Sequence, residues 1–482
     1  MLRRMRPRAT GSPRRLPARG PGSLLLIAAL AAGCSAGSSD GPPRADATAL
    51  PFTGCDQVAC SGTLRGAHYE IRLPTTWNGT LLLYSHGYRS AQPAPPAFDP
   101  VETTPQVAAT DEVAARLLAQ GYALAGSAYR TNGWAVADGV AAGQELYDFF
   151  ASRVGLPART YVWGDSLGGL ITETLAERHP AWLTGAAPMC GVLAGANLNL
   201  DLALDITYAV RTLIDPQLRL VNYRSYNEAV KAFQHAYDRI MAATRDVSSG
   251  IPKLLLIAAL VDAPTQTENF DGSTARSMVS AVVEALVTGL EYGTVGRQEI
   301  EQRVGGNPSG NVDVNYATRV SAAERTAIEA VSPGSVQPGL AALAAGRRVA
   351  PQPAARTALG RLGNPTGSVR VPTITLHTRA DPLAVVQNET VFAHRVATAP
   401  GRTNDVVQLY TAPPPTYSPP APYGAGHCNF TTGERVGVIG LLDRWVRSGV
   451  YPTGAVVAAA FGTDKGLATG YLPGPWPAGT DG

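Results

Sequence analysis

The sequence predicts an α/β fold: a mostly parallel sheet covered by helices on both faces, with a large helical cap insertion. Three observations predict it. Apolar, β-favouring runs alternate with helix-period segments from Leu81 to Met189 and again from Val371 to Val446, the rhythm of strands joined by crossover helices. Within the first block, the run Tyr161 to Trp163 enters a glycine-rich turn, and Leu170 to Glu177 leaves it with helical spacing. Between the blocks the strand rhythm stops, and residues 194–362 are helical in pattern almost throughout.

The chain of 482 residues opens with seven arginines and no acid in residues 1–33, followed by an apolar run, Leu24 to Ala32, too short to span a bilayer. That is the pattern of a secretion signal. Removing those seven charges takes the formal net from +3 to −4. Only three lysines occur, Lys231, Lys253 and Lys465, and the arginines are scattered, so no basic patch points to nucleic acid. Residues 34–50 have the Ser/Gly/Pro composition of a tether.

The core is expected in two parts, 51–193 and 363–450, with the cap over 194–362 and a Pro/Gly-rich extension over 451–482. In the first part, Leu81 to Tyr84 is a buried strand running into Ser85-His86-Gly87-Tyr88. A Pro-rich loop follows, then a helix over Asp111 to Gln120 ending at Gly121, a strand over Tyr122 to Ser127 and a helix over Val136 to Val154. The loop Tyr129 to Trp134 lies where parallel strands deliver ligand contacts, so Trp134 either lines a pocket or packs the loop down. Leu183 to Met189 is the next strand. In the cap, helices are expected over Asp201 to Ile214, Tyr226 to Thr244, Pro252 to Leu260, Ser277 to Val287, Ala322 to Ala330 and Pro338 to Arg347.

The motif Gly164-Asp165-Ser166-Leu167-Gly168 sits at the strand-to-helix turn. A sharp turn that lifts a serine hydroxyl above a sheet edge needs neighbours without bulky Cβ groups. Gly37-Ser38-Ser39-Asp40-Gly41 fits the same pattern but has no strand before it and no helix after it, which makes it linker. The strand Val371 to His377 delivers Asp381 four residues past its end, where an Asp-Pro turn is the plainer alternative. After the strand Asp405 to Tyr410, the glycine-flanked loop Gly424-Ala425-Gly426-His427-Cys428 precedes a helix over Glu434 to Val446. Ser166, Asp381 and His427 supply the nucleophile, acid and base that acyl transfer requires. No pair of histidines has zinc-like spacing and no Walker-type glycine loop occurs, so no cofactor and no metal are expected.

The order Ser166, Asp381, His427, with His86-Gly87 before them, resembles the α/β-hydrolase superfamily. The resemblance covers about Tyr69 to Met189 and Val369 to Val450. It implies an oxyanion hole built from the backbone N–H groups of Tyr88 and Leu167, with His86 as a structural hydrogen-bonder. Leu30-Ala31-Ala32-Gly33-Cys34 resembles a bacterial lipobox. This implies lipidation at Cys34 and attachment to the outer face of the cytoplasmic membrane, simple secretion being the alternative. Arg14-Arg15 leaves the export route open. Of the other cysteines, Cys55 and Cys60 form the simplest pair, leaving Cys190 and Cys428 either bridged to each other or as buried thiols. His427-Cys428 also resembles tannase- and feruloyl-esterase-like enzymes, in which cysteines beside the serine and the histidine are bridged; here Asp165 precedes Ser166, so that bridge cannot form, and a Cys190–Cys428 bridge that ties down the histidine loop is the alternative to two free thiols.

The expected activity is hydrolysis of small or polymeric carboxylic esters through an acyl-enzyme. A serine peptidase or acyltransferase on the same fold, and a non-catalytic surface binding lipoprotein, are the alternatives. The oligomeric state is not legible.

Overall fold

The computed structural model describes residues 59–94, 98–401, 405–461 and 466–477. Cys34 and Cys55, the signal and the tether therefore lie outside the described residues.

Its first elements are β1 (Ala59–Leu64), β2 (Ala67–Arg72), β3 (Thr80–Ser85), α1 (Asp111–Ala119), β4 (Ala123–Ser127), α2 (Val136–Arg153), β5 (Arg159–Asp165), α3 (Leu167–Glu177) and β6 (Gly185–Met189). The sheet order is β1-β2-β4-β3-β5-β6, completed by β7 (Thr373–Thr378) and β8 (Val406–Thr411). The pairs from β4 to β8 are parallel, whereas β1 with β2 and β2 with β4 are antiparallel. One antiparallel edge on an otherwise parallel sheet is the arrangement of the α/β-hydrolase fold. That edge hairpin is an addition to the expected strands. It turns on Arg65 and Gly66, both at positive φ, as a two-residue hairpin requires.

Burial on both faces explains the unbroken apolar strands. Along β3, Leu81 and Leu83 join a core beneath α2 and α3, while Leu82 and Tyr84 join the opposite core with Trp163 and Leu442. Helix α1 is started by the Thr110 side chain, which accepts from the Val113 N–H at 3.2 Å.

Between β6 and β7 come α4 (Gly195–Leu213), α5 (Tyr226–Ala243), α6 (Gly250–Leu260), α7 (Ala275–Glu291), α8 (Arg297–Val304), α9 (Ala322–Val331), α10 (Val336–Ala345) and α11 (Pro353–Arg361). All but α8 and α11 share a core of their own around Tyr208, Phe233, Ile257 and Leu286, whereas Ile300 of α8 and Leu359 of α11 join the core beneath α2 and α3. Helices α7 and α8 are continuous through a π turn, Tyr292–Gly296. After β7 come α12 (Asn388–Thr398), α13 (Thr432–Ser448) and α14 (Gly454–Phe461). A Thr431–Glu434 capping box begins α13. The helical stretches α8, α11, α12 and α14 were not among the expected ones.

Candidate active site

Ser166 stands between the last residue of β5 and the first of α3, at φ 60° and ψ −121°. A serine is strained in that left-handed region, and the surroundings must hold it there. The flanking glycines permit the turn: a Cβ on Gly164 or on Gly168 would collide with the Ser85 carbonyl oxygen. The Ser166 N–H donates to Met189 O at 3.0 Å, fixing the turn to the end of β6.

The structure brings Asp381 and His427 to this serine. His427 Nε2 lies 2.6 Å from Ser166 Oγ, and His427 Nδ1 lies 2.8 and 3.0 Å from the two Asp381 oxygens. Asp381 is held by the loop after β7, whose Leu383 and Ala384 N–H groups donate to its Oδ1 at 2.9 Å. Burial would raise the Asp381 carboxyl, but the charge of His427 and the bonds from His377 and His427 outweigh it and hold the group below its ordinary value.

His377, at the end of β7, is a site residue that the sequence did not disclose. It is fully buried; Nε2 lies 2.7 Å from Ala384 O and 3.5 Å from Asp381 Oδ2, and Nδ1 lies 3.3 Å from Glu389 Oε1. Both ring nitrogens thus face acceptors, which suits a doubly protonated imidazole. Burial opposes that charge, but the two carboxylates raise the His377 pKa well above the ordinary histidine value.

Two fastenings join the nucleophile turn to the histidine loop. Arg435 Nη1 lies 2.6 Å from both oxygens of Asp165, the residue before Ser166, and its Nη2 donates to the carbonyl of Cys428, the residue after His427, at 2.7 Å. Asp165 and Arg435 are 7 % and 5 % exposed. Cys190 and Cys428 form a disulfide with a Cα–Cα distance of 5.4 Å, anchoring the same loop to the end of β6. Cys60 is also disulfide-bonded. Cys428 at φ 56° and Cys190 at φ 43° are, like Ser166, left-handed positions held by their surroundings.

The loop after β3 lies against the nucleophile: a Cβ on Gly87 would sit 3.4 Å from Ser166 Cβ. His86 shapes it, with Nδ1 2.7 Å from Gly87 O and its ring stacked on Tyr129 at 4.0 Å. Burial, with the nearby Arg89 charge, pushes the His86 pKa down to about 3, so the ring is neutral there. Among the described residues, neither the Tyr88 nor the Leu167 N–H donates to another backbone group. Leu167 opens α3, where the helix dipole favours negative charge.

Ser166 and His427 open into a cavity with about 890 Å³ of empty space, including its mouth. Tyr88, Trp134, Leu167 and Leu383 line it from the sheet side, and Ala203, Ile206, Leu286 and Ile300 from the inserted helices. The loop that carries Trp134 is also tied down, because the Trp134 backbone N–H donates to Glu299 Oε2 of α8 at 3.0 Å. Among the described residues that line it, there is no Asp, Glu, Lys or Arg. The apolar lining was beyond sequence reasoning, since it comes from helices distant in the chain.

No protein-family model matches the chain, and no curated protein does. Among solved structures, the chain is similar to proline iminopeptidase from Mycobacterium smegmatis, at 12 % identity over 81 % of this chain and 100 % of that one, with a TM-score of 0.36. It is similar to feruloyl esterase B from Aspergillus oryzae, at 15 % identity over 82 % and 81 %, with a TM-score of 0.37. A third similarity is to the rice cell wall degrading esterase LipA from Xanthomonas oryzae, at 16 % identity over 72 % and 78 %, with a TM-score of 0.31.

Proposed function

We propose that the chain is a serine hydrolase that cleaves carboxylic esters bearing an apolar acyl group. The observation that carries this reading is the unbroken hydrogen-bonded line from Ser166 Oγ through His427 to Asp381, opening into an apolar cavity. His427 Nε2 takes the hydroxyl proton as Oγ attacks the acyl carbon. Asp381 holds the Nδ1–H tautomer and stabilises the imidazolium that forms. The Tyr88 and Leu167 N–H groups receive the developing oxyanion. His427 then protonates the leaving alcohol, and water, deprotonated by the same imidazole, releases the acid.

The lining favours an ester over an aminoacyl amide, because its described residues include no carboxylate to receive a substrate ammonium. The enzyme acts outside the cytoplasm, secreted or tethered by a lipid at Cys34; the Cys190–Cys428 disulfide suits an oxidising compartment. Metabolic labelling with an alkynyl fatty acid tests the anchor: it should mark the wild-type chain and not Cys34→Ser.

A fluorophosphonate probe tests the chemistry. Labelling mapped to Ser166 and lost in Ser166→Ala, with ester turnover reduced at least roughly 1,000-fold, is expected. A folded wild-type protein that takes no label and hydrolyses no ester would sink the reading.

A further inference from the structure

Beside the apolar cavity lies a second, polar cleft with about 800 Å³ of empty space, between the Tyr88 loop and the helices α5 and α8. Tyr88 lines both spaces, which makes them neighbours, and its ring lies 5.3 Å from that of Tyr292, which lines the cavity. The continuous α7–α8 segment serves both sides: Tyr292 and Ile300 face the cavity, whereas Gln298, Glu299 and Gln302 face the cleft.

The chemistry of the two sides differs sharply. The cleft offers the amides of Gln92, Gln298 and Gln302 and the Ser90 hydroxyl. Its two charges cancel, since Arg303 pairs with Glu299 at 2.6 Å. Gln298 is 1 % exposed, and its Nε2 has no hydrogen-bond partner among the described residues. A buried amide donor left without a partner costs stability unless something else satisfies it. Amide and hydroxyl side chains both donate and accept. They match a neutral ligand whose groups do the same, and the paired charges provide no net attraction for a carboxylate, phosphate or ammonium. The rings of Tyr88 and Tyr226 add flat apolar faces for carbon-bound hydrogens.

We propose that this cleft is the subsite for a polyhydroxylated alcohol, so that the substrate is an ester joining an apolar acyl chain to a polyol such as glycerol or a sugar. The inference rests on the ester-hydrolase reading above. It places the acyl chain in the cavity and the hydroxyl-bearing leaving group beyond Tyr88, with the scissile carbonyl between them. The acyl–oxygen bond breaks, Ser166 Oγ keeps the acyl group, and the polyol leaves with the proton from His427.

Octanoyl esters of ethanol, glycerol and glucose share the acyl half and separate the two. The expected result is a kcat/KM for the glycerol or glucose ester about tenfold or more above that of ethyl octanoate. Whichever polyol is preferred identifies its source as an acylglycerol or an acylated sugar. In Gln92→Ala and Gln302→Ala, both changes at exposed positions, the polyol ester should lose about fivefold per substitution, with ethyl octanoate within twofold of wild type. Equal rates for the three esters, or losses shared equally by ethyl octanoate, would overturn the subsite. Binding of octyl glucoside, of 1-O-octylglycerol and of octanol to Ser166→Ala, followed by saturation-transfer NMR, keeps the two readings apart. Sugar or glycerol protons saturated in Ser166→Ala and lost on adding Gln302→Ala support the cleft even if no ester is hydrolysed. Saturation confined to the octyl chain, for octyl glucoside and for 1-O-octylglycerol alike, overturns it even if ester hydrolysis is efficient.

Discussion

Under the proposed mechanism Asp381 has two tasks, orienting His427, which it faces at 2.8 and 3.0 Å, and remaining ionised while buried. Asp381→Asn keeps the shape but supplies an amide where the Nδ1–H needs an acceptor of full charge. A kcat loss of roughly 10,000-fold with little change in KM is expected, measured by steady-state kinetics. His377 supports the second task. Its folded pKa is raised, so its contribution to stability is fully present below the unfolded histidine value near 6.5 and is lost as pH rises toward about 10. Calorimetry of wild type and His377→Asn should therefore show a Tm gap that is largest at or below neutral pH and narrows as pH approaches 10. A gap that widens with pH would mean that His377 is neutral at pH 7. The three residues that the fold brings together were legible because each lies beside its own local signal: glycines around Ser166, a strand before Asp381, a glycine-flanked loop around His427. His377 was not, because within an apolar strand a histidine gives no sign of which buried acids it will meet.

At the scale of elements, the distance between Ser166 and His427 depends on how the β5–α3 turn sits against the loop before α13. One guanidinium and one disulfide set that relation. Arg435→Met leaves Asp165 as a buried, unpaired acid, which typically costs about 3–5 kcal/mol, and frees the Cys428 carbonyl. A lower Tm is expected with a kcat, normalised to titrated active sites, reduced roughly 10- to 100-fold at nearly unchanged KM. Arg435→Lys retains the charge and should recover part of kcat. If normalised kcat stays within twofold of wild type in Arg435→Met, the pair only stabilises the fold. Cys190→Ser with Cys428→Ser removes the second fastening and, by chain entropy, should cost about 2–5 kcal/mol in denaturant unfolding. Sequence offered Cys190 and Cys428 as a pair but left it open against two free thiols, because 238 residues of chain intervene and only the fold shows that the end of β6 and the histidine loop meet. The antiparallel β1–β2 edge was missed for a local reason. Its alternation at Ala67, Tyr69 and Ile71 is present, but the turn uses Arg65 in a left-handed conformation in place of the usual Asn or Asp.

For the whole molecule, the cavity belongs to neither half of the chain alone. The sheet side contributes Ser166, His427 and one wall, and α4, α7 and α8 contribute the other wall, so under the proposed function substrate selection would be a property of the insertion, whose core is separate from that of the sheet. The alternation of strands made the sheet visible in the sequence because each strand is a short, continuous apolar run buried on both faces. The shape of the cavity was invisible, since helix periodicity marks which face is buried without saying what it faces. This division gives a test of cap-controlled selectivity. Ala203 on α4 borders the cavity, and Ala203→Phe would fill part of it from the cap side without touching Ser166, Asp381 or His427. With 4-nitrophenyl esters from acetyl to decanoyl, kcat/KM for the longer chains should fall tenfold or more, while the acetyl ester stays within about threefold, because each excluded methylene forfeits about 0.8 kcal/mol of transfer energy. A uniform fall across the series, with fluorophosphonate labelling slowed in parallel, would instead mean that the substitution has displaced the insertion from the sheet and that acyl length is selected elsewhere.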